Sequence, residues 1–281
     1  MAWVEELEIA RAAALEAGRA VMRSFGTRQS VIYKSPDQPQ THADLEADRI
    51  LHEMLLGARP EYGWLSEETI DRPDRLNREC VWIVDPIDGT RSFVSGRPEF
   101  AISIGLANDG EVVLGVVANP ATAELYWAVD GGGAFSADGT RLHVSQTSVA
   151  QGAMLMASRS ELADREFADF GDEWRITPLG STAYKLAHIA AGHGDVFLSR
   201  GPKSEWDVCA GDLIVREAGG RVTDLRGRAL RFNQPDPYVH GILGTNGRLH
   251  DMALNIVKQM PDTGRLRGFD DGSAGGAEEG E

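Results

Sequence analysis

Two aspartates, Asp85 and Asp88, follow a run of apolar residues and stand three positions apart in the chain. Val81 to Val84 has the composition of a buried strand, and Pro86 and Gly89 are residues that end strands. Two ionised carboxylates held this close in a poorly solvated place repel each other, and a divalent cation relieves the repulsion. Oxygen ligands favour a hard ion, so the pair predicts a Mg²⁺ site.

The two residues after this pair, Gly89 and Thr90, add a second kind of binding group. Backbone N–H groups in such a turn can hold an anion beside the metal. A metal next to a phosphate pocket is the arrangement of a metal-assisted phosphoryl hydrolase, which needs no side-chain nucleophile. The chain has no Gly-x-Ser-x-Gly motif, and neither Cys80 nor Cys209 belongs to a recognisable Cys–His pair.

Further acids stand where such a site could use them. Glu67 ends a short apolar segment, Asp207 begins a predicted helix and Asp44 lies near the start of another. Each has a simpler explanation when taken alone: Glu67 in a solvated loop, Asp207 as a helix N-cap, and Asp44 as an acid that favours a helix N-terminus. The combination, at predicted strand and helix ends, favours a shared metal site.

These segments resemble the inositol monophosphatase superfamily of Mg²⁺-dependent, lithium-sensitive phosphomonoesterases. The resemblance covers roughly residues 3 to 246, in family order. The matching segments are Lys34, Thr41-His42-Ala43-Asp44, Leu65-Ser66-Glu67-Glu68-Thr69, Asp85-Pro86-Ile87-Asp88-Gly89-Thr90, Gly180-Ser181-Thr182-Ala183 and Trp206-Asp207-Val208-Cys209-Ala210-Gly211.

The resemblance implies a role for each matching residue. A first Mg²⁺ would be held by Glu67, Asp85 and the Ile87 carbonyl, and a second by Asp85, Asp88 and Asp207. Glu67 would also face a weaker third ion, mostly through water. Mn²⁺ is an alternative to Mg²⁺. Thr90, oriented by Asp44, would position the attacking water. The remaining implied contacts are to the substrate: the amides of Gly89 and Thr90 with the phosphate, and Gly180, Ser181 and Thr182 with the leaving group.

The identity of the substrate depends on other segments. Ser199 to Asp207 resembles the 3′(2′),5′-bisphosphate nucleotidase branch, because Arg200 stands near the position where the inositol-specific branch has an acid. Arg200 and Lys203 would suit a second anionic group, although a solvated loop explains them equally well. Segments 157–160 and 230–238 also resemble that branch, and in the second either Phe232 or Tyr238 could contact a base or simply pack.

The best prediction for the substrate is therefore 3′-phosphoadenosine 5′-phosphate. Inositol-1-phosphate is the first alternative and histidinol phosphate the second. A non-catalytic metal-binding regulatory protein is an alternative of another class; such a protein usually lacks a ligand, whereas all the expected acids are present here.

Composition limits the partners. The chain has 281 residues, a net charge of −15 and 42% hydrophobic residues. The negative charge argues against binding to a nucleic-acid polymer. No apolar stretch reaches membrane-spanning length, no signal peptide is recognisable, and two cysteines give no disulfide framework, so we expect a cytoplasmic protein without membrane contact. The family resemblance allows a homodimer.

The elements that must position these residues follow from periodicity. Helices are predicted from Trp3 to Phe25, Asp44 to Leu56, Ser181 to Ala191, Asp207 to Ala218 and Leu249 to Met260. A hairpin is predicted around Asn108-Asp109-Gly110, and a plain turn at Gly131-Gly132-Gly133. Short strands are predicted at 125–129, 153–157, 196–198, 221–223 and 242–244.

The predicted fold is α/β, a layered α-β-α-β-α sandwich of two subdomains like that of inositol monophosphatases. Residues 1–150 would form an α+β subdomain with most metal ligands. Residues 151–261 would form an α/β subdomain that contributes Asp207 and the substrate loops. The Gly-rich acidic tail, 262–281, is expected to be disordered. His188 and His193, at the end of an Ala-rich helix, are expected to have no chemical role.

Overall fold

Seven α-helices and thirteen strands make up the part of the chain that the structure, a computed structural model, describes: residues 2–28, 30–35 and 38–260. The helices are α1 (Val4–Ser24), α2 (His42–Ala58), α3 (Thr90–Val94), α4 (Arg159–Ala163), α5 (Thr182–Ala190), α6 (Glu205–Glu217) and α7 (His250–Gln259), with a 3₁₀ helix at Pro73–Asn77. The strands are β1 (Val31–Ser35), β2 (Gln38–Thr41), β3 (Gly63–Ser66), β4 (Cys80–Asp88), β5 (Ala101–Asn108), β6 (Glu111–Asn119), β7 (Glu124–Val129), β8 (Gly133–Ser136), β9 (Met154–Ala157), β10 (Arg175–Pro178), β11 (Val196–Ser204), β12 (Arg221–Thr223) and β13 (Tyr238–Thr245).

The strands form two large sheets. The six-stranded sheet has the order β3-β4-β5-β6-β7-β8 and is antiparallel except for the β3–β4 pair. The five-stranded sheet has the order β10-β9-β11-β13-β12, with parallel pairing of β9 to β10 and to β11. Strands β1 and β2 form a separate antiparallel pair.

Three buried hydrophobic clusters hold five layers together. One lies between helices α1 and α2 and the six-stranded sheet, through residues such as Leu51 and Trp82. The second places α5 and α6 between the two sheets. The third packs α7 and the segment after α4 against the other face of the five-stranded sheet, through residues such as Leu254 and Leu198. This order of layers confirms the predicted α-β-α-β-α sandwich.

Two glycines allow α6 to approach the six-stranded sheet closely. A Cβ atom on Gly105 would lie 2.5 Å from the Cys209 sulfur, and one on Gly115 would lie 2.5 Å from the Ala210 carbonyl oxygen. A real Cβ atom could not occupy either position, because both distances are shorter than a nonbonded contact allows. The close approach brings the N-terminal end of α6, which carries Asp207, toward β4.

Most predicted elements are present within one or two residues of their expected ends. The hairpin at Asn108-Asp109-Gly110 joins β5 to β6, and both Asp109 and Gly110 have the positive φ that this turn requires. Strand β11 runs six residues beyond its predicted end, to Ser204. Strands β1, β2, β3, β8 and β10 and helices α3 and α4 were not predicted.

The two sheets divide at the predicted subdomain boundary, since strands β1–β8 precede residue 150 and strands β9–β13 follow it. The subdomain division itself stays a prediction. The acidic tail, 262–281, lies outside the described residues. Among those residues, no helix is long and apolar enough to cross a membrane.

Candidate active site

Strand β4 carries both aspartates of the predicted pair and is buried along its whole length. Its pairing with β5 is regular as far as Asp85 and is interrupted before Asp88, where the strand bulges. The prediction that Pro86 ends this strand was wrong, because a bulge leaves the proline, which has no N–H, outside the hydrogen-bond ladder. The Ile87 N–H donates to Asp85 Oδ1 at 2.9 Å within the bulge.

Asp207 approaches the β4 bulge from helix α6, which lies between the two sheets. It is the third residue of α6, where its Oδ2 accepts a hydrogen bond of 3.3 Å from the Ser204 N–H in a capping box. Carboxylate oxygens of Asp85, Asp88 and Asp207 lie within 4.8 Å of one another. The structure therefore brings together the three acids that the sequence predicted to share a metal.

Glu67 follows β3 and lines the same cavity. Its Oε1 accepts an ion-pair hydrogen bond from Lys34 Nζ at 2.9 Å, and that ammonium group also binds Glu68 at 3.0 Å. Burial raises the pKa of Glu67, and the Lys34 charge offsets part of that effect. Burial, followed by the negative charge of Glu67, raises the pKa of Asp85, so Glu67 lies close enough to repel the Asp85 carboxylate.

Thr90 and Asp44 also meet. Thr90 Oγ1 lies 3.1 Å from Asp44 Oδ1 and 3.0 Å from the Ile87 carbonyl oxygen, so its single proton can be donated to either acceptor. Asp44 is the third residue of α2 and accepts two hydrogen bonds from Thr41 at its other oxygen. Burial raises the pKa of Asp44 to about 6.

The segment Gly180-Ser181-Thr182 lines the cavity at the start of α5, as does Gly89 at the start of α3. Ser181 Oγ donates to Asp88 Oδ2 at 2.5 Å, and the Ala183 N–H donates to the same oxygen at 2.6 Å. These two bonds fix the direction of the Asp88 carboxylate. Ser181 thus contacts a metal-site acid, a contact that the sequence did not predict.

The acids repel one another when no cation lies between them. Burial, followed by the charges of Asp88 and Glu67, raises the pKa of Asp207 to about 8. Burial raises the pKa of Asp88 as well, although Ser181 and Ala183 donate to it. Two buried carboxylates and one half-buried carboxylate, all with raised pKa values, offer the oxygen ligands that a hard divalent ion requires, so the residues present fit Mg²⁺.

The cavity above the acids has a volume of about 620 Å³ and is rich in cationic side chains for so acidic a chain. The Lys and Arg residues that line it are Lys34, Arg91, Arg97, Arg159, Lys185 and Lys203. Arg159 is held by Glu99 through a two-pronged ion pair, with one bond of 2.7 Å. Arg159 and Lys185 were not predicted as site residues, because tertiary contacts alone bring them there.

The two predicted substrate cations on β11 differ in position. Lys203 lines the cavity, whereas Arg200 is buried and is not among the cavity's lining residues. The pairing of β11 with β13 shifts register between Ser199 and Pro202, so Arg200 lies within the irregular part of the strand and Lys203 follows it. Lys185, a buried residue of α5, also lines the cavity.

Comparison with known proteins decides the family. The family model described as "Inositol monophosphatase family" matches residues 3–262. The chain belongs to the inositol monophosphatase family. Its members are hydrolases of phosphoric monoesters and are in general Mg²⁺-dependent, which agrees with the acid cluster described above.

Individual members of the inositol monophosphatase family show similarity along most of the chain. An inositol-1-monophosphatase of Rhizobium meliloti is 41% identical over 76% of this chain and 84% of the relative. The 3′(2′),5′-bisphosphate nucleotidase CysQ of Salmonella typhimurium is 32% identical over 81% and 94%, respectively. The solved Thermotoga maritima inositol monophosphatase superposes with a TM-score of 0.81 at 31% identity, covering 91% of this chain and 98% of that one.

Proposed function

We propose that this phosphatase uses Mg²⁺ to hydrolyse a small metabolite that carries a second anionic group, best represented by 3′-phosphoadenosine 5′-phosphate. The observation that carries the proposal is the pair Lys185 and Lys203 in the cavity wall. A polyol leaving group such as inositol needs hydrogen-bond acceptors, whereas a second phosphate needs cations.

The metal-site roles are part of the proposal. Glu67, Asp85, the Ile87 carbonyl, Asp88 and Asp207 would hold two Mg²⁺ ions, with a third near Glu67. Bound Mg²⁺ supplies a Lewis acid that lowers the pKa of water and offsets charge on the leaving oxygen. Because all donors are oxygens, Mn²⁺ would be accepted as well.

The chain's own residues position the reactants. Thr90, with its hydroxyl held by Asp44 and the Ile87 carbonyl, would orient the attacking water. The amides of Gly89 and Thr90 would hold the phosphate at the start of α3. Gly180, Ser181 and Thr182 form the wall against which the leaving group would rest.

Lys185 and Lys203 supply the charge for the second anionic group. Burial, followed by the nearby charge of Lys203, lowers the pKa of Lys185 to about 8. Because the charge of Lys203 disfavours the ammonium form of Lys185, an anion bound near both side chains would favour that form. Glu161 is also near both, but it is buried behind the wall and accepts hydrogen bonds from Ser158 and Ser199.

Inositol-1-phosphate is the second candidate, because the inositol-1-monophosphatase relative has the higher sequence identity, 41% against 32% for the nucleotidase. The cavity wall around Lys185 and Lys203 is a better guide to the leaving group, and it favours the nucleotide.

The test compares kcat/KM for 3′-phosphoadenosine 5′-phosphate, adenosine 3′-monophosphate, inositol-1-phosphate and histidinol phosphate with Mg²⁺. The first two substrates differ only by the 5′-phosphate. We expect the bisphosphate to be the best substrate, by about 10- to 100-fold over the monophosphate, since hydrogen bonds to charged groups contribute about 1.5–3 kcal/mol. A higher kcat/KM for inositol-1-phosphate would overturn the nucleotide proposal and leave the phosphatase activity intact.

A variant of Lys203 tests whether the cavity wall causes the preference for the bisphosphate. Lys203→Met should remove most of the advantage of the bisphosphate and change the rate on adenosine 3′-monophosphate little. The monophosphate is the internal control for the metal site, because it uses the same acids. Equal losses on both substrates would show that Lys203 acts through the metal site rather than on the second phosphate.

A further inference from the structure

A group of metal-ligating side chains lies outside the cavity, where β7 meets the C-terminal end of α5. Glu124 begins β7, His188 lies in the last turn of α5, and His193 follows in the loop. One ligand atom of each lies within 4.8 Å of the others, and His188 Nε2 is 3.9 Å from Glu124 Oε1. None of the three lines the active-site cavity.

The His188 ring presents a nitrogen that the protein leaves unsatisfied. Its Nε2 is buried and has no hydrogen-bond partner among the described residues. A buried polar atom without a partner costs free energy, and a bound ion or water molecule beside it would remove that cost. Burial lowers the pKa of His188 to about 4, so the ring is neutral at physiological pH, which is the form that binds metals.

The Glu124 carboxylate is held in place by three hydroxyl groups. Tyr126 donates to Oε1 at 2.9 Å, Thr122 donates to Oε2 at 2.5 Å, and Tyr184 donates to Oε2 as well. Burial alone would raise the pKa of Glu124, but these donors outweigh it and the pKa is lowered. Hydrogen bonds of this kind orient carboxylate ligands in metal sites, and Oε1, which accepts only from Tyr126 among the described hydrogen bonds, lies 3.9 Å from His188 Nε2.

We propose that Glu124, His188 and His193 form a second metal site that prefers Zn²⁺ to Mg²⁺. Two imidazoles and one carboxylate are a ligand set typical of zinc, whereas Mg²⁺ requires mainly oxygen ligands. Around a tetrahedral ion neighbouring ligand atoms are about 3.4 Å apart, so the side chains would close by about 1 Å. Because His193 is exposed, the fourth position remains open to water or another ligand.

The position of this site connects it to the active site through α5. At the start of the helix, the N-cap residue Ser181 and Ala183 donate to Asp88, and the last turn of the helix carries His188. At 1.5 Å per residue Thr182 and His188 are about 9 Å apart along the helix. An ion bound to Glu124 would tie the second end of α5 to the six-stranded sheet, so that the helix is anchored to that sheet at both ends.

The test is Zn²⁺ titration calorimetry of the full chain, stripped of metal and then supplied with excess Mg²⁺ to fill the acid cluster. Wild-type protein should bind one Zn²⁺ per chain. His193→Ala, an exposed position, should weaken that binding at least about tenfold, and Tyr184→Phe, which removes one donor to Glu124, by about 10- to 100-fold. The control variant His52→Ala, an exposed histidine on α2, should bind like wild type.

A second readout locates the ion. Asp88→Asn, which weakens the acid cluster, should leave Zn²⁺ binding unchanged, and tetrahedral Co²⁺ absorption should appear in wild type but not in His193→Ala. No Zn²⁺ binding by wild type in excess Mg²⁺ would overturn the proposal. So would equal affinity in wild type and His193→Ala, or loss of binding in Asp88→Asn alone, which would place the ion in the acid cluster.

Discussion

The replacement Asp207→Asn should stabilise the protein when metal is removed and destabilise it relative to wild type when Mg²⁺ is present. Asp207 shares its corner with Asp85 and Asp88, with oxygens within 4.8 Å of one another. Asparagine has nearly the same size and keeps an oxygen that can accept the hydrogen bond from Ser204. The change therefore removes the charge and leaves the helix cap in place.

The magnitude follows from the pKa of Asp207, which is 3.8 as a free group and about 8 in the folded protein, chiefly because of burial. The folded state thus holds a proton that the unfolded state releases, and the stability of the metal-free protein falls as pH rises from about 4 to about 8. One pKa unit corresponds to about 1.4 kcal/mol, so at pH 7 the upper limit of this loss is about 4 kcal/mol. After relaxation we expect the variant to gain about 2–4 kcal/mol, or about 4–8 °C in Tm.

The assay is thermal unfolding of both proteins at pH 7, in EDTA and in saturating Mg²⁺. Asp169→Asn, an exposed aspartate, is the matched control and should not change Tm. At pH 5 the gain in EDTA should be at most about half of the gain at pH 7, because the raised pKa of Asp207 lowers the stability of the wild-type protein less at pH 5 than at pH 7. If Asp207→Asn melts at or below the wild-type temperature in EDTA, the acids do not repel one another and the reasoning is refuted.

Three further predictions concern other parts of the molecule. Thr90→Ala should lower kcat by about 10²–10⁴-fold and Thr90→Ser by much less, because serine keeps the hydroxyl that Asp44 holds; equal losses would contradict the role. Gly115→Ala should cost about 1–3 kcal/mol in denaturant unfolding, since its methyl group would meet the Ala210 carbonyl oxygen at 2.5 Å; an unchanged midpoint would contradict this packing. Burial lowers the pKa of His250 to about 4, so its protonation should destabilise the fold as pH falls from about 6.5 to 4; His250→Asn should flatten that decline, and an unchanged slope would exclude His250 as its source.

Sequence patterns located the acids of this cluster because these residues stand at or near the ends of regular elements. Asp88 ends strand β4, Asp85 lies three residues before that end, and Asp207 lies in the first turn of a helix with clear apolar spacing. Such positions depend on local propensity and on hydrophobic periodicity, both of which are visible in a single chain. The five-layer fold followed from the family resemblance, and the packing of α5 and α6 between the sheets agrees with it.

The cavity wall could not be predicted in the same way. Lys185 lies on a helix face that reads as core, and only the packing of α5 shows that its ammonium group reaches the cavity. Arg159 is fixed by Glu99, 60 positions away in the chain, and no local pattern reports such a contact. Arg200, predicted to contact the substrate, is buried and is not a lining residue of the cavity, and no local pattern reports the register shift of β11 beside it.

The layer formed by α5 and α6 between the two sheets affects how the protein unfolds. The buried cluster around this layer includes residues of both sheets, so the two sheets cannot separate without exposing a large hydrophobic surface to water. Melting should therefore be all-or-none, with catalytic activity and far-UV signal lost together. For the same reason, a gene cut near codon 150 should yield two insoluble fragments instead of two independent modules.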